Sequence, residues 1–198
     1  MLIGKRVRLR AIEKEDLPRF VTWLNDPEVR RHVNFRPPLS LPQEEKWYEH
    51  ILQQQPAEQP LVIERDAPEG WTPIGNIGLF AIDWVNRSAE LGIFIGEKLV
   101  WNQGYGREAI QLLLQFGFDT LNLNRIFLRV DETNPGGIHC YEHAGFAHEG
   151  RLRQAKFENG QYIDHLFMSV LRSDWQSMDK TQPPGTLKNH SRIGRISE

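Results

Sequence analysis

Trp101-Asn102-Gln103-Gly104-Tyr105-Gly106-Arg107-Glu108-Ala109 is the stretch whose reading decides the fold. Gly104 and Gly106 lack a Cβ, so the backbone can turn sharply there and come close to a ligand. A helical pattern follows at once, with Ile110, Leu113, Leu114, Phe118 and Leu121 on one face. Ahead of the loop, Ala89-Glu90-Leu91-Gly92-Ile93-Phe94-Ile95 reads as a strand. A strand, a glycine loop and a helix start together present free N–H groups at the positive end of a helix dipole. That arrangement suits a phosphate-bearing cofactor.

Three readings compete for the loop. A Walker loop needs Lys-Ser/Thr after its last glycine, and Arg107-Glu108 stands there instead. Gly104-x-Gly106-x-x-Ala109 matches a dinucleotide fingerprint, with Asp131 as a ribose ligand, but its first glycine belongs at the strand end. Here Gly96 to Gln103 separate Ile95 from Gly104. The third reading is a helix entrance that merely uses glycine.

A second group of residues decides among them. Arg125-Ile126-Phe127-Leu128-Arg129-Val130 reads as a strand. It leads into Asp131-Glu132-Thr133-Asn134-Pro135 and then Tyr141-Glu142-His143-Ala144-Gly145-Phe146. Here the chain resembles the GNAT superfamily of N-acetyltransferases. Their loop has the form Gln/Arg-x-x-Gly-x-Gly/Ala, and their next strand leads to an Asn, a Tyr-bearing helix and Gly-Phe. Trp101 replaces the Gln or Arg that usually opens the loop, as is familiar in the ribosomal-protein (RimJ/RimL-type) branch. Val7-Arg8-Leu9-Arg10, Trp23-Leu24-Asn25-Asp26-Pro27-Glu28-Val29, Glu149-Gly150-Arg151-Leu152-Arg153 and Asn159-Gly160-Gln161-Tyr162-Ile163-Asp164 extend the resemblance over residues 1–175.

The resemblance implies a single α/β domain with a mixed, mostly antiparallel sheet flanked by helices, over residues 1–175. It also implies acetyl-CoA as co-substrate and direct attack by a primary amine. Ile93, Phe94 and Ile95 would pair with the pantetheine arm, and an N–H among them would face the developing oxyanion. Trp101, Asn102, Gln103, Gly104, Tyr105, Gly106 and Arg107 would hold the pyrophosphate, and the Asn134 amide would bond the pantetheine. Tyr141 is the candidate general acid, because a phenol near pKa 10 is protonated at neutral pH. Glu90 is the first choice of base, on the expectation that apolar neighbours bury it; an ion pair with Arg87 or Arg129 is the structural alternative. Asp131 and Glu132 are read as caps near Asn134.

The branch points to a protein N-terminal α-amine as acceptor. A polyamine or another small amine is the alternative within enzymes, and an acyl-CoA-sensing module the alternative outside them. A dinucleotide oxidoreductase comes last. Composition adds bounds. The 198 residues suit one domain, and a net charge of −2 offers no field for nucleic acid or anionic membrane. No apolar run is long enough to span a bilayer. Cys140 is the single cysteine, which with no signal-like N-terminus fits a reducing cytoplasm. It is read as a buried structural thiol. His139 and His143 lack the companions of a zinc site, so no metal is expected. A second copy of the chain as partner is left open. Residues 176–198 are polar, contain Pro183-Pro184-Gly185, and are expected to form a flexible tail.

Overall fold

The computed structural model describes residues 1–33 and 38–178. Its centre is an eight-stranded sheet, in the order β1-β2-β3-β4-β5-β6-β8-β7. The strands are β1 (Leu2–Ile3), β2 (Val7–Ala11), β3 (Leu61–Arg65), β4 (Thr72–Asp83), β5 (Ser88–Ile95), β6 (Arg125–Asp131), β7 (Ala147–Glu158) and β8 (Gln161–Leu171). Every neighbouring pair is antiparallel except β5 and β6. A parallel pair needs a long crossover, and the loop with its helix α4 (Tyr105–Gln115) supplies it.

Side chains alternate across each strand, and this builds two cores. Ile63 of β3 and Ile93 and Ile95 of β5 pack with Ile110, Leu113, Leu114 and Phe118 on the side of α4 and α5 (Pro135–Ala144). Val62 and Phe94, one position away, pack on the other side with Phe20, Trp23 and Ile51. That second layer comes from α1 (Leu17–Asn25) and α3 (Leu41–Ile51). Burying a Leu, Ile or Phe contributes about 1.5–3 kcal/mol, so the α4 stripe alone commits this helix to the sheet.

Local signals explain most element ends. Ser40 opens α3 with a capping box, its N–H donating to the Gln43 side chain at 2.9 Å. Asn159 and Gly160, at φ +49° and +81°, make the tight turn between β7 and β8. The hydrophobic stripe after α4 holds to Phe118, but the backbone there widens into a π turn over Phe116–Thr120, with Leu121 N–H donating to Phe116 at 3.0 Å. β7 departs most from expectation. Between Leu152 and Lys156 its register slips against β8, and Asp164 accepts from the bulged Gln154 N–H at 2.7 Å.

The short helices α2 (Pro27–Arg30) and α6 (Arg172–Ser177) complete the fold. Trp175 of α6 is buried and Met178 packs against the larger core, so ordered structure continues past the expected boundary at 175. From residue 179 onward the expected tail lies outside the described residues.

Candidate active site

β5 and β6 pair only at their first residues, Ser88–Arg125, Ala89–Ile126 and Glu90–Phe127. Beyond Glu90 the two strands part. On its other edge β5 stays bonded to β4, with Ile93 opposite Ile77, Phe94 opposite Asn76 and Ile95 opposite Gly75. The β6-side groups of Leu91–Ile95 thus border an opening through the sheet. Backbone groups at such an edge are ready to pair with an extended ligand.

The glycine loop closes one end of this opening. The Trp101 indole donates to the Ile95 carbonyl at 2.9 Å, so this side chain ties the loop to the end of β5. Asn102 (φ +59°) and Gly104 (φ +84°) take left-handed conformations, and Gly104 caps α4 with no side chain of its own. The first intrahelical bond runs from Glu108 N–H to the Gly104 carbonyl, so the N–H groups of Tyr105, Gly106 and Arg107 remain available to an anion. A Cβ on Gly106 would meet nothing closer than Cys140 Sγ and Ile95 Cγ1, both at 3.8 Å. A Cβ there would be in ordinary contact with both, so Gly106 faces the gap between β5 and α5.

Two guanidiniums strengthen the loop. Arg6 donates to the Gln103 carbonyl at 3.1 Å, lies 4.8 Å from the Tyr105 ring centre, and pairs with Glu108 at 3.1 Å. Arg6 and Arg107 both come within 4 Å of where a Gly104 Cβ would stand. Arg6 was not singled out in the sequence, because nothing local links it to a loop about a hundred residues away.

Across the gap, Asn134 begins α5, and its Oδ1 accepts from Gly137 N–H at 2.9 Å. Its oxygen is therefore spent on the cap, and the amide nitrogen is the part left for a ligand. Tyr141 follows on α5, its ring edge-to-face with Phe146 at 5.9 Å. Burial, with Cys140 and Asp131 nearby, pushes its phenol well above the ordinary range. Burial also pushes the Cys140 thiol up to about 11, despite Arg107, so at neutral pH it is a protonated, weak nucleophile.

Two expectations are corrected. Glu90 does not sit in an apolar pocket: both its oxygens are held by Arg129, at 2.8 and 3.0 Å. Asp131 and Glu132 do not cap α5. The buried Asp131 carboxylate instead meets Lys156 Nζ at 2.7 Å, His165 Nε2 at 3.1 Å and His32 Nδ1 at 3.2 Å, while Glu132 pairs with Arg151 at 2.6 Å. The β7 bulge precedes Lys156 in the chain, a long-range arrangement that no sequence spacing announces. The His139 and His143 rings lie 4.0 Å apart between centres, tilted by 48°, and His143 Nδ1 lies 2.8 Å from the His139 carbonyl.

On the sheet face away from Tyr141 and α5 lies a cavity of about 720 Å³, bordered by α2, the β7 bulge, Arg129 and His165. This volume falls in the usual range for a small-molecule site. Arg129 and its partner Glu90 stand where β5 and β6 part. Arg129 thus belongs both to the cavity wall and to the point where the strands part.

Known proteins resemble this chain in sequence and in fold. Residues 6–147 match the family model described as an acetyltransferase (GNAT) domain. The spermidine N(1)-acetyltransferase of Vibrio cholerae is 35% identical over 175 residues, 87% of this chain and 97% of that protein. An uncharacterized N-acetyltransferase, p20, of Bacillus licheniformis is 32% identical over 88% of this chain and 97% of its own length. A putative ribosomal N-acetyltransferase, YdaF, of Bacillus subtilis is 31% identical over 52% of this chain and 55% of its own. The crystal structure of the V. cholerae spermidine N-acetyltransferase with CoA and spermine superposes with a TM-score of 0.79 at 31% identity, over 87% of this chain and 99% of that one. The split strands, the glycine loop and the matches together place this chain in the GNAT superfamily, as an acetyl-CoA-dependent N-acetyltransferase.

Proposed function

We propose that this chain acetylates a small primary amine that enters through the 720 Å³ cavity, while acetyl-CoA lies along the β5 edge. The observation that carries the reading is the opening between β5 and β6, with the glycine loop and Tyr141 on one side and a cavity on the other. In this reading the amides of Tyr105, Gly106 and Arg107 hold the pyrophosphate, flanked by Arg6. Ile93, Phe94 and Ile95 pair with the pantetheine arm through their free edge, and the Asn134 amide nitrogen donates to it. The amine nitrogen attacks the thioester carbonyl carbon, and an N–H of β5 stabilises the oxyanion. The C–S bond breaks, the Tyr141 hydroxyl gives its proton to the departing sulfur, and the amine loses its own proton to solvent.

Solvent takes that proton because Arg129 engages both oxygens of Glu90. Glu90→Gln tests this assignment: the acid limb of the pH–rate profile should stay in place. A flattened limb would restore Glu90 as the base.

The spermidine acetyltransferases among the relatives support a small acceptor, with a polyamine as the class their names suggest. A protein N-terminal α-amine is the second reading, favoured by the likeness to the putative ribosomal enzyme. Release of CoA thiol, measured with spermidine, simple primary amines and N-terminal peptides, separates them. Turnover with small amines and none with peptides is expected. The reverse would move the assignment to protein termini.

A further inference from the structure

The cavity wall has a distinctive charge balance. Four carboxylates stand at or just behind it, and they share three cations. Glu90 is held by Arg129, Asp131 and Glu158 share Lys156 at 2.7 and 3.6 Å, and Glu28 shares Lys98 with Asp26, at 3.0 and 2.7 Å. Arg30 and Arg31 also line the cavity, and among the described residues neither forms an ion pair. These two guanidiniums are therefore available to a group on the acceptor. A guanidinium fork is suited to a carboxylate or phosphate and repels a cationic group.

We infer that the acceptor carries an anionic group, a carboxylate or phosphate, a short chain away from the reacting amine, and that Arg30 and Arg31 hold it. This rests on the small-amine reading and departs from its polyamine member. It makes the two arginines specificity determinants, since a charged partner left unpaired costs binding and so discriminates between acceptors. The chemistry of transfer is unchanged.

The test compares acceptors built on the same carbon chain. 5-Aminopentanoate is set against 1,5-diaminopentane, and O-phosphoethanolamine against ethanolamine, each with acetyl-CoA and thiol release as readout; the two pairs separate carboxylate from phosphate. kcat/KM should favour the anionic member of at least one pair by roughly tenfold to a hundredfold, the range of a charge-assisted bond. In the Arg30→Gln/Arg31→Gln double variant that ratio should fall toward unity. Arg30→Lys/Arg31→Lys should keep part of it, which separates lost charge from lost structure. A preference for the diamine or for spermidine, or an unchanged ratio in the glutamine variant, would overturn the inference and leave the acetyltransferase reading standing. If no amine turns over, the acetyltransferase reading fails instead. Calorimetry of the same four compounds on the CoA-bound protein then decides the charge preference: tighter binding of an anionic member supports it, and tighter binding of the diamine overturns it.

Discussion

Tyr141→Phe removes one hydroxyl and keeps the ring. The ring's edge-to-face contact with Phe146 at 5.9 Å needs no oxygen, and among the described residues no group is hydrogen-bonded to the hydroxyl. Nothing is left unsatisfied by its loss, so unfolding free energy should change by less than about 1 kcal/mol. Burial raises the phenol above its ordinary range, so it stays protonated throughout neutral pH and can donate. A lost general acid costs roughly a hundredfold to ten-thousandfold in rate, or about 2.7–5.5 kcal/mol of barrier. Acetyl-CoA affinity should hold, because the loop and Asn134 carry the binding. Rapid-quench single turnovers isolate chemistry from product release, and a thermal melt checks the fold. Parental single-turnover rates in a folded variant would refute the role and leave Tyr141 as packing.

Gly106→Glu should weaken acetyl-CoA binding by at least roughly tenfold in calorimetry, since a carboxylate would enter the gap beside unpaired N–H groups; unchanged affinity would move the pyrophosphate elsewhere. Gly96→Ala should lower stability by about 1–3 kcal/mol in chemical denaturation, because its Cβ would stand 2.1 Å from the Trp23 ring; an unshifted midpoint would mean that Trp23 moves freely. The buried Glu44 carboxyl is pushed up from 4.5 to about 7 by loss of solvent. Its folded form therefore holds a proton more tightly than its unfolded form, and stability should fall as pH rises from about 4.5 to about 7. Glu44→Gln should remove that decline and be more stable at pH 8 by up to about 3 kcal/mol; parallel pH–stability curves would show that Glu44 ionises at no cost.

The parts of the site that were legible in the sequence are those set by local backbone. Gly104 and Gly106 before a helical stripe, Asn134 seven residues before Tyr141, and Asn159-Gly160 all impose a conformation where they stand. What escaped was long-range. Arg6 joins the loop through tertiary packing, and Asp131 gathers partners from three distant segments. Glu90 illustrates the difference: its strand position and an ion pair with Arg87 or Arg129 could be read, but only the pairing of β5 with β6 selects Arg129 and takes Glu90 out of an apolar pocket. The β7 bulge has no sequence cue comparable to a turn, and it precedes the lysine that meets Asp131.

The central claim is that an acetyl group passes directly from acetyl-CoA to an amine at the opening between β5 and β6. Protein saturated with acetyl-labelled acetyl-CoA, mixed with amine and quenched at intervals, tests it most directly. Labelled N-acetyl amine should appear in one phase, matched by free CoA, with no label on the protein. Label accumulating on Cys140 before product, or CoA release without an acetylated amine, would contradict the account.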